Sequence, residues 1–116
     1  MMDIKRIQQQ LSIFSKERDW DQFHTPKNLA TALSVEASEL LEVFQWLTDD
    51  QSQKLNKDQM TDVEQEVADI AIYLLRICDV MGINIEAVIE NKLAINAYKY
   101  PVDAARGNAT KYNKRT

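Results

Sequence analysis

Apolar and polar residues recur along this chain with the spacing of amphipathic α-helices, and the pattern predicts four long helices. The first helix begins after Asp3, a favourable N-cap residue, and fades near Arg18. Its apolar face consists of Ile4, Ile7, Leu11 and Phe14. The second helix runs from about Lys27 to Leu47, because a threonine followed by a proline, Thr25-Pro26, is a strong helix-start signal.

Polar residues from Thr48 to Lys57 predict a loop after the second helix. The third helix runs from about Gln59 to Met81, and Gly82 is suited to end it. The fourth starts near Asn84 and must end before Pro101, since proline disfavours helical backbone in the residue before it.

Composition favours an all-α fold over an all-β one. The 116 residues include only two glycines and two prolines, too few for the frequent turns of a β-protein, and the length fits one domain spanning residues 1–116. The second and third helices are apolar around most of their circumference, in a chain too short to cover both. We therefore expect a four-helix bundle completed by homo-oligomerisation, as a dimer or a dimer of dimers.

Charge is distributed unevenly along the chain. The net charge is −4, but residues 92–116 hold six basic residues and one acid, which gives a net +5 there and −9 for residues 1–91. The acidic charge of residues 1–91 argues against general nucleic-acid binding. The basic tail from about residue 101 could bind a polyanion or could be a solvated chain end. No apolar run is long enough to span a membrane, and the N-terminus lacks the core of a signal peptide, so we expect a cytoplasmic protein.

Two carboxylate pairs carry the most chemical information. Glu36 with Glu39, and Glu66 with Asp69, each have i, i+3 spacing within otherwise apolar helical segments. Side chains three apart on a helix are neighbours, so each pair presents two carboxylates side by side. Four carboxylates facing one another require a cation between them, and Mg²⁺ prefers such hard oxygen ligands. This pattern favours metal-dependent phosphate chemistry.

Three other interpretations of the four acids stay open. They could be solvated residues of ordinary helix surfaces, although neither pair has a basic residue at i+4 to form a surface ion pair. The chain could be a noncatalytic helical module that binds a partner. A di-iron carboxylate bundle needs Glu-x-x-His pairs, and the single histidine, His24, lies outside both motifs.

Aromatic and basic residues elsewhere in the chain could bind a nucleotide. Trp20 and His24 precede the second helix and Trp46 lies near its end; these rings could hold a base by stacking, or could simply cover the core. Lys92, Asn96 and Lys99 form one polar stripe on the apolar fourth helix, where lysine can meet phosphate oxygens or solvent.

Taken together, these segments resemble the MazG-like, all-α nucleoside triphosphate pyrophosphohydrolases, and the dCTP pyrophosphatase branch in particular. The two carboxylate pairs resemble the metal motif of that family. Further similar segments are residues 18–29 (RDWDQFHTPKNL), 44–46 (FQW), 96–101 (NAYKYP) and Lys111-Tyr112. Val35 departs from the broader family, in which two adjacent glutamates often begin the motif.

The resemblance implies hydrolysis of a nucleoside triphosphate, with dCTP or a C5-modified dCTP as the expected substrate, to the monophosphate and pyrophosphate. It implies Mg²⁺ held by Glu36, Glu39, Glu66 and Asp69, with Glu39 also orienting or deprotonating the attacking water. Base contacts would come from Trp20, His24, Trp46 and Tyr73. Phosphate or sugar contacts would come from Lys92, Asn96 and Lys99. The ring residues are expected to act on the same or a neighbouring subunit of a homo-oligomer.

Overall fold

The structure is a computed structural model that describes residues 1–110, and these residues form helices and no strand. The predicted all-α class is therefore confirmed. The described helices are α1 (Ile4–Glu17), α2 (Pro26–Phe44), α3 (Asp49–Ser52), α4 (Lys57–Met81), α5 (Ile85–Lys99) and α6 (Val102–Ala105), with a 3-10 turn at Asp21–Phe23.

The predicted helix ends rest on side-chain caps. The side chains of Asp3, Thr25 and Asn84 each accept a hydrogen bond from a backbone N–H in the first turn of α1, α2 and α5. Such caps satisfy amide groups that have no partner within the helix. At the other end of α4, Gly82 adopts the left-handed conformation with φ of 69°, which glycine tolerates without strain.

The polar segment after α2 differs from the prediction of a loop. Helix α2 ends at Phe44 rather than Leu47, and Thr48 starts the short helix α3. Thr48 and Gln51 form a reciprocal capping box, which fixes Thr48 in extended backbone with ψ of 164° and so prevents α2 from continuing.

A second capping box moves the start of α4. Asn56 and Gln59 exchange hydrogen bonds between side chain and backbone, so α4 begins at Lys57 rather than Gln59. Helix α5 ends at Lys99, before Pro101 as predicted, and the short helix α6 after that proline was not predicted.

The first 83 residues form one compact unit, Met1–Ile83, and a second unit begins at Asn84 with α5 and α6. Within the first unit α4 packs against both α2 and α1. Its buried apolar residues are Leu29, Leu75 and Cys78. The single domain expected over residues 1–116 stays a prediction.

Much apolar surface of the first unit is left uncovered. On α2 and α4 the exposed large apolar residues are Val35, Leu41, Met60, Val67, Ile72, Leu74, Val80 and Met81. With so few buried residues, the apolar faces of these helices are not covered by the rest of the first unit. The expected homo-oligomer stays a prediction. Across residues 1–110, none of the helices combines the length and the apolar character needed to cross a membrane.

Candidate functional site

Packing of α2 against α4 brings three of the predicted metal ligands together. Carboxylate oxygens of Glu36, Glu39 and Glu66 all lie within 4.8 Å of one another. One oxygen of Glu36 and one of Glu66, Oε2 in each case, are shielded from solvent without a hydrogen-bond partner in the described part of the chain. Buried polar atoms normally have partners, so these two oxygens fit a site that holds a cation.

Mutual repulsion perturbs all three groups. The pKa of Glu36 is raised, mainly because the adjacent carboxyl of Glu66 favours its protonated form, and partial burial adds to this. The neighbouring Glu36 carboxyl raises the pKa of Glu39 in the same way. The adjacent carboxyl of Glu36 lowers the pKa of Glu66, but burial and the negative charge of Glu39 outweigh this effect, so the net direction is upward. The cluster therefore favours a bound proton or cation.

Asp69, the fourth predicted ligand, lies beside this group rather than within it. Its negative charge contributes to the raised pKa of both Glu36 and Glu66. Its side chain also lines a neighbouring cavity. Asp69 is therefore near both the carboxylate cluster and the cavity, and its role as a fourth metal ligand stays a prediction.

The cavity has a volume of about 400 Å³, which is within the range of small-molecule sites. Three predicted base-binding residues line it, namely Trp20, His24 and Tyr73. Leu11, Phe14 and Ile72 supply the apolar part of the lining. An apolar cavity with rings and a few polar groups, next to a carboxylate cluster, can take an aromatic ligand that carries a metal-binding group.

A tight turn after α1 orients Trp20 towards Phe14. Asp19 has a positive φ of 54°, and the backbone N–H of Trp20 returns to the carbonyl of Ser15 at 2.9 Å. The rings of Trp20 and Phe14 meet edge to face with centroids 5.6 Å apart. Arg18 covers the Phe14 ring at 3.5 Å, so the turn is held by ring contacts as well as by hydrogen bonds.

His24 is held by residues that the sequence did not single out. Its Nδ1 lies 3.1 Å from both Ser15 Oγ and Arg76 Nε. Burial and the positive charge of Arg76 lower the pKa of His24, against an upward contribution from Asp21. An arginine within the apolar stretch LLRIC was the available sequence signal, because a charge in a buried helix face requires a partner.

The other predicted ligand residues belong to other segments of the chain. Trp46 does not line the cavity and is 86% exposed after the end of α2. Lys92, Asn96 and Lys99 belong to α5 in the second unit, with Lys92 exposed and the other two half-buried. Lys111 and Tyr112, part of the similar C-terminal segment, lie outside the described residues.

Comparison with known proteins identifies the family. The model of the MazG-like family matches residues 31–114. The chain is 35% identical over 114 residues to dCTP pyrophosphatase 1 of Homo sapiens, covering 97% of this chain and 65% of that protein. It is 37% identical over 112 residues to dCTP pyrophosphatase 1 of Bos taurus, covering 95% of this chain and 64% of that protein.

The chain thus spans slightly less than two thirds of the length of these relatives. Among solved structures, a pyrophosphatase from Archaeoglobus fulgidus superposes with a TM-score of 0.82 and 39% sequence identity. That match covers 87% of this chain and 94% of the archaeal one. The family match includes all four predicted metal ligands, and the chain belongs to the MazG-like family.

Proposed function

We propose that the protein is a Mg²⁺-dependent nucleoside triphosphate pyrophosphohydrolase that acts on dCTP or a C5-modified dCTP. The observation that carries the proposal is the cluster of Glu36, Glu39 and Glu66, with two unpartnered buried oxygens, beside a ring-lined cavity. The names of the relatives, dCTP pyrophosphatase 1 and pyrophosphatase, support the same reaction.

Mg²⁺ fits the donor set, which consists of carboxylate oxygens alone. Glu36, Glu39 and Glu66 would hold it, with Asp69 completing the ligands at the side of the cavity. When bound, Mg²⁺ supplies positive charge to an acidic site and polarises phosphate oxygens. Without such a cation, a triphosphate would be repelled by the four carboxylates.

Glu39 is the residue we assign to the attacking water. Its carboxylate lies within 4.8 Å of those of Glu36 and Glu66, and so would reach a water beside the cation that they hold. The water oxygen bonds to the α-phosphorus while the bond from that phosphorus to the bridging oxygen of the β-phosphate breaks. The electron pair leaves with pyrophosphate, and the water proton passes to Glu39.

The remaining predicted residues hold the nucleotide. Trp20, His24 and Tyr73 would surround the base in the cavity, since nucleobases are commonly held by ring stacking and a few polar contacts. Trp46 would contact the base from a neighbouring copy. The polar stripe on α5 would meet phosphate or sugar oxygens. It consists of Lys92, Asn96 and Lys99.

A homo-oligomer, as a dimer or a dimer of dimers, belongs to this proposal. The exposed apolar residues of α2 and α4 support it, because a stable monomer rarely exposes so large an apolar surface. The same surface also supports the second candidate, a noncatalytic helical module that binds another protein.

The test is a pyrophosphate-release screen over the common and C5-modified nucleoside triphosphates with Mg²⁺. We expect the highest kcat/KM with the cytosine substrates and a loss of at least about 100-fold in Glu39→Gln, the size typical of a general base. Glu64→Gln is the matched control, because Glu64 is exposed on the same helix as Glu66 but outside the cluster.

Each outcome of the screen separates the candidates. A flat profile over the bases would contradict the dCTP assignment, and full activity of Glu39→Gln would contradict the site. Absence of pyrophosphate release with every nucleotide, together with no thermal shift on adding Mg²⁺ and nucleotide, would favour the binding module.

A further inference from the structure

Arg76 is a nearly buried cation that the proposed reaction does not use. Its side chain is 9% exposed, yet the guanidinium bonds to three groups. Nη2 donates to Asp21 Oδ1 at 2.9 Å, Nη1 donates to Asp79 Oδ2 at 3.4 Å, and Nε donates to His24 Nδ1 at 3.1 Å. Two carboxylates already exceed its single positive charge, so charge neutralisation does not require the contact with His24.

That contact determines which nitrogen of His24 carries the proton. A guanidinium has only N–H donors and stays charged at every physiological pH, so Nδ1 must accept and must itself be unprotonated. The Ser15 hydroxyl, 3.1 Å from the same nitrogen, must then also donate to it. The ring is therefore neutral with its proton on Nε2, which has no hydrogen-bond partner among residues 1–110.

The hydrogen bond with Ser15 does not by itself determine the tautomer of His24. A hydroxyl can donate or accept, so it would satisfy either tautomer as well as the charged ring. The charged groups around His24 are Arg76 from α4, with Asp79 beyond it, and Asp21 from the 3-10 turn. Burial and Arg76 lower the pKa of His24, in agreement with a neutral ring.

We propose that Arg76 is a positioning residue that fixes His24 as the neutral Nε2–H tautomer, so that the ring presents a hydrogen-bond donor to a ligand in the cavity. This inference rests on the proposed function. The matching ligand group is an acceptor on the base, such as the O2 or N3 atom of cytosine, held beside Trp20. The rings of Trp20 and His24 are 6.3 Å apart, and both line the cavity.

His24 is the only histidine of the chain, which makes the tautomer directly measurable. In the full chain labelled with ¹⁵N-histidine, long-range proton–nitrogen NMR spectra at pH 7 distinguish the protonated ring nitrogen from the unprotonated one. We expect Nε2 to be protonated in the wild type without nucleotide. In Arg76→Met we expect the protonated population to shift towards Nδ1, because Ser15 can then accept from it.

Arg76→Lys is the conservative variant, and we expect it to retain the Nε2–H tautomer because an ammonium also only donates. Arg6→Met is the control, since Arg6 is exposed on α1 and is not a hydrogen-bond partner of His24. In steady-state hydrolysis of dCTP, Arg76→Met should raise KM about tenfold, the value of one hydrogen bond of about 1.4 kcal/mol, with little change in kcat. Because Arg76 acts through His24, adding His24→Asn should produce little further increase.

The proposal is overturned if the wild-type ring carries its proton on Nδ1, or if Arg76→Met leaves the nitrogen spectrum unchanged. The first result is obtained with the wild type alone, so the proposal can be refuted even if Arg76→Met does not fold. The NMR measurement also needs no turnover. A protein that shows the expected tautomer but hydrolyses no nucleotide would therefore contradict the proposed function and not the assignment of Arg76.

Discussion

Substituting Leu29 by alanine tests the packing on which the carboxylate site depends. Leu29 is the only buried residue of α2, with 1% of its surface exposed, and α2 reaches its position by packing against α4. Glu36 follows Leu29 by seven residues, about two helical turns, and so lies on nearly the same face of α2. Loosening α2 at Leu29 should therefore disturb the carboxylates as well as the core.

The expected loss in the free energy of unfolding follows from the number of side-chain atoms removed. Leu29→Ala removes three buried carbons, worth about 2.4 kcal/mol at about 0.8 kcal/mol for each. The cavity left behind should bring the loss in unfolding free energy to about 3 kcal/mol. For a unit of this size that loss corresponds to a fall in Tm of roughly 12–24 °C.

Circular dichroism at the helical band, followed through thermal and urea unfolding, measures this loss. Thr31→Ala is the matched control, because Thr31 is exposed on the same helix, and we expect it to change stability by less than about 0.5 kcal/mol. A cost below about 1 kcal/mol for Leu29→Ala would refute the reasoning, since it would mean that Leu29 is not tightly packed between helices.

Two further predictions concern charge. Glu66→Gln should raise the Tm of the metal-free protein at pH 7, because it removes one negative charge from the carboxylate cluster. The same substitution should abolish the increase in Tm that Mg²⁺ produces, and an increase equal to that of the wild type would contradict the ligand assignment. The pKa of His24 is lower in the folded protein than in the unfolded chain. Below a pH of about 6.5 the unfolded chain therefore binds a proton at His24 more readily than the folded protein does, so the free energy of unfolding falls as the pH falls. Urea unfolding between pH 7 and 5 should show a smaller fall in His24→Asn than in the wild type, and parallel curves would rule out this contribution.

Local chemistry explains why the helices were predictable. The caps Asp3, Thr25 and Asn84 and the terminating Gly82 act within one helical turn, so sequence spacing is enough to recognise them. The capping boxes at residues 48–51 and 56–59 are equally local. They were missed because the polar composition of that segment suggested a loop.

The sequence by itself determined the all-α class, the capped helix ends at Asp3, Thr25, Gly82 and Asn84, and the spacing of the two carboxylate pairs, because each depends on residues within a turn or two of one another. Only the tertiary structure decided which carboxylates converge, since Glu36 and Glu66 meet through the register of α2 against α4. It also decided the surroundings of His24, whose partner Arg76 is 52 residues away along the chain. Contacts at such separations depend on how helices pack, and helical periodicity gives the face of a residue but not its neighbour across the interface.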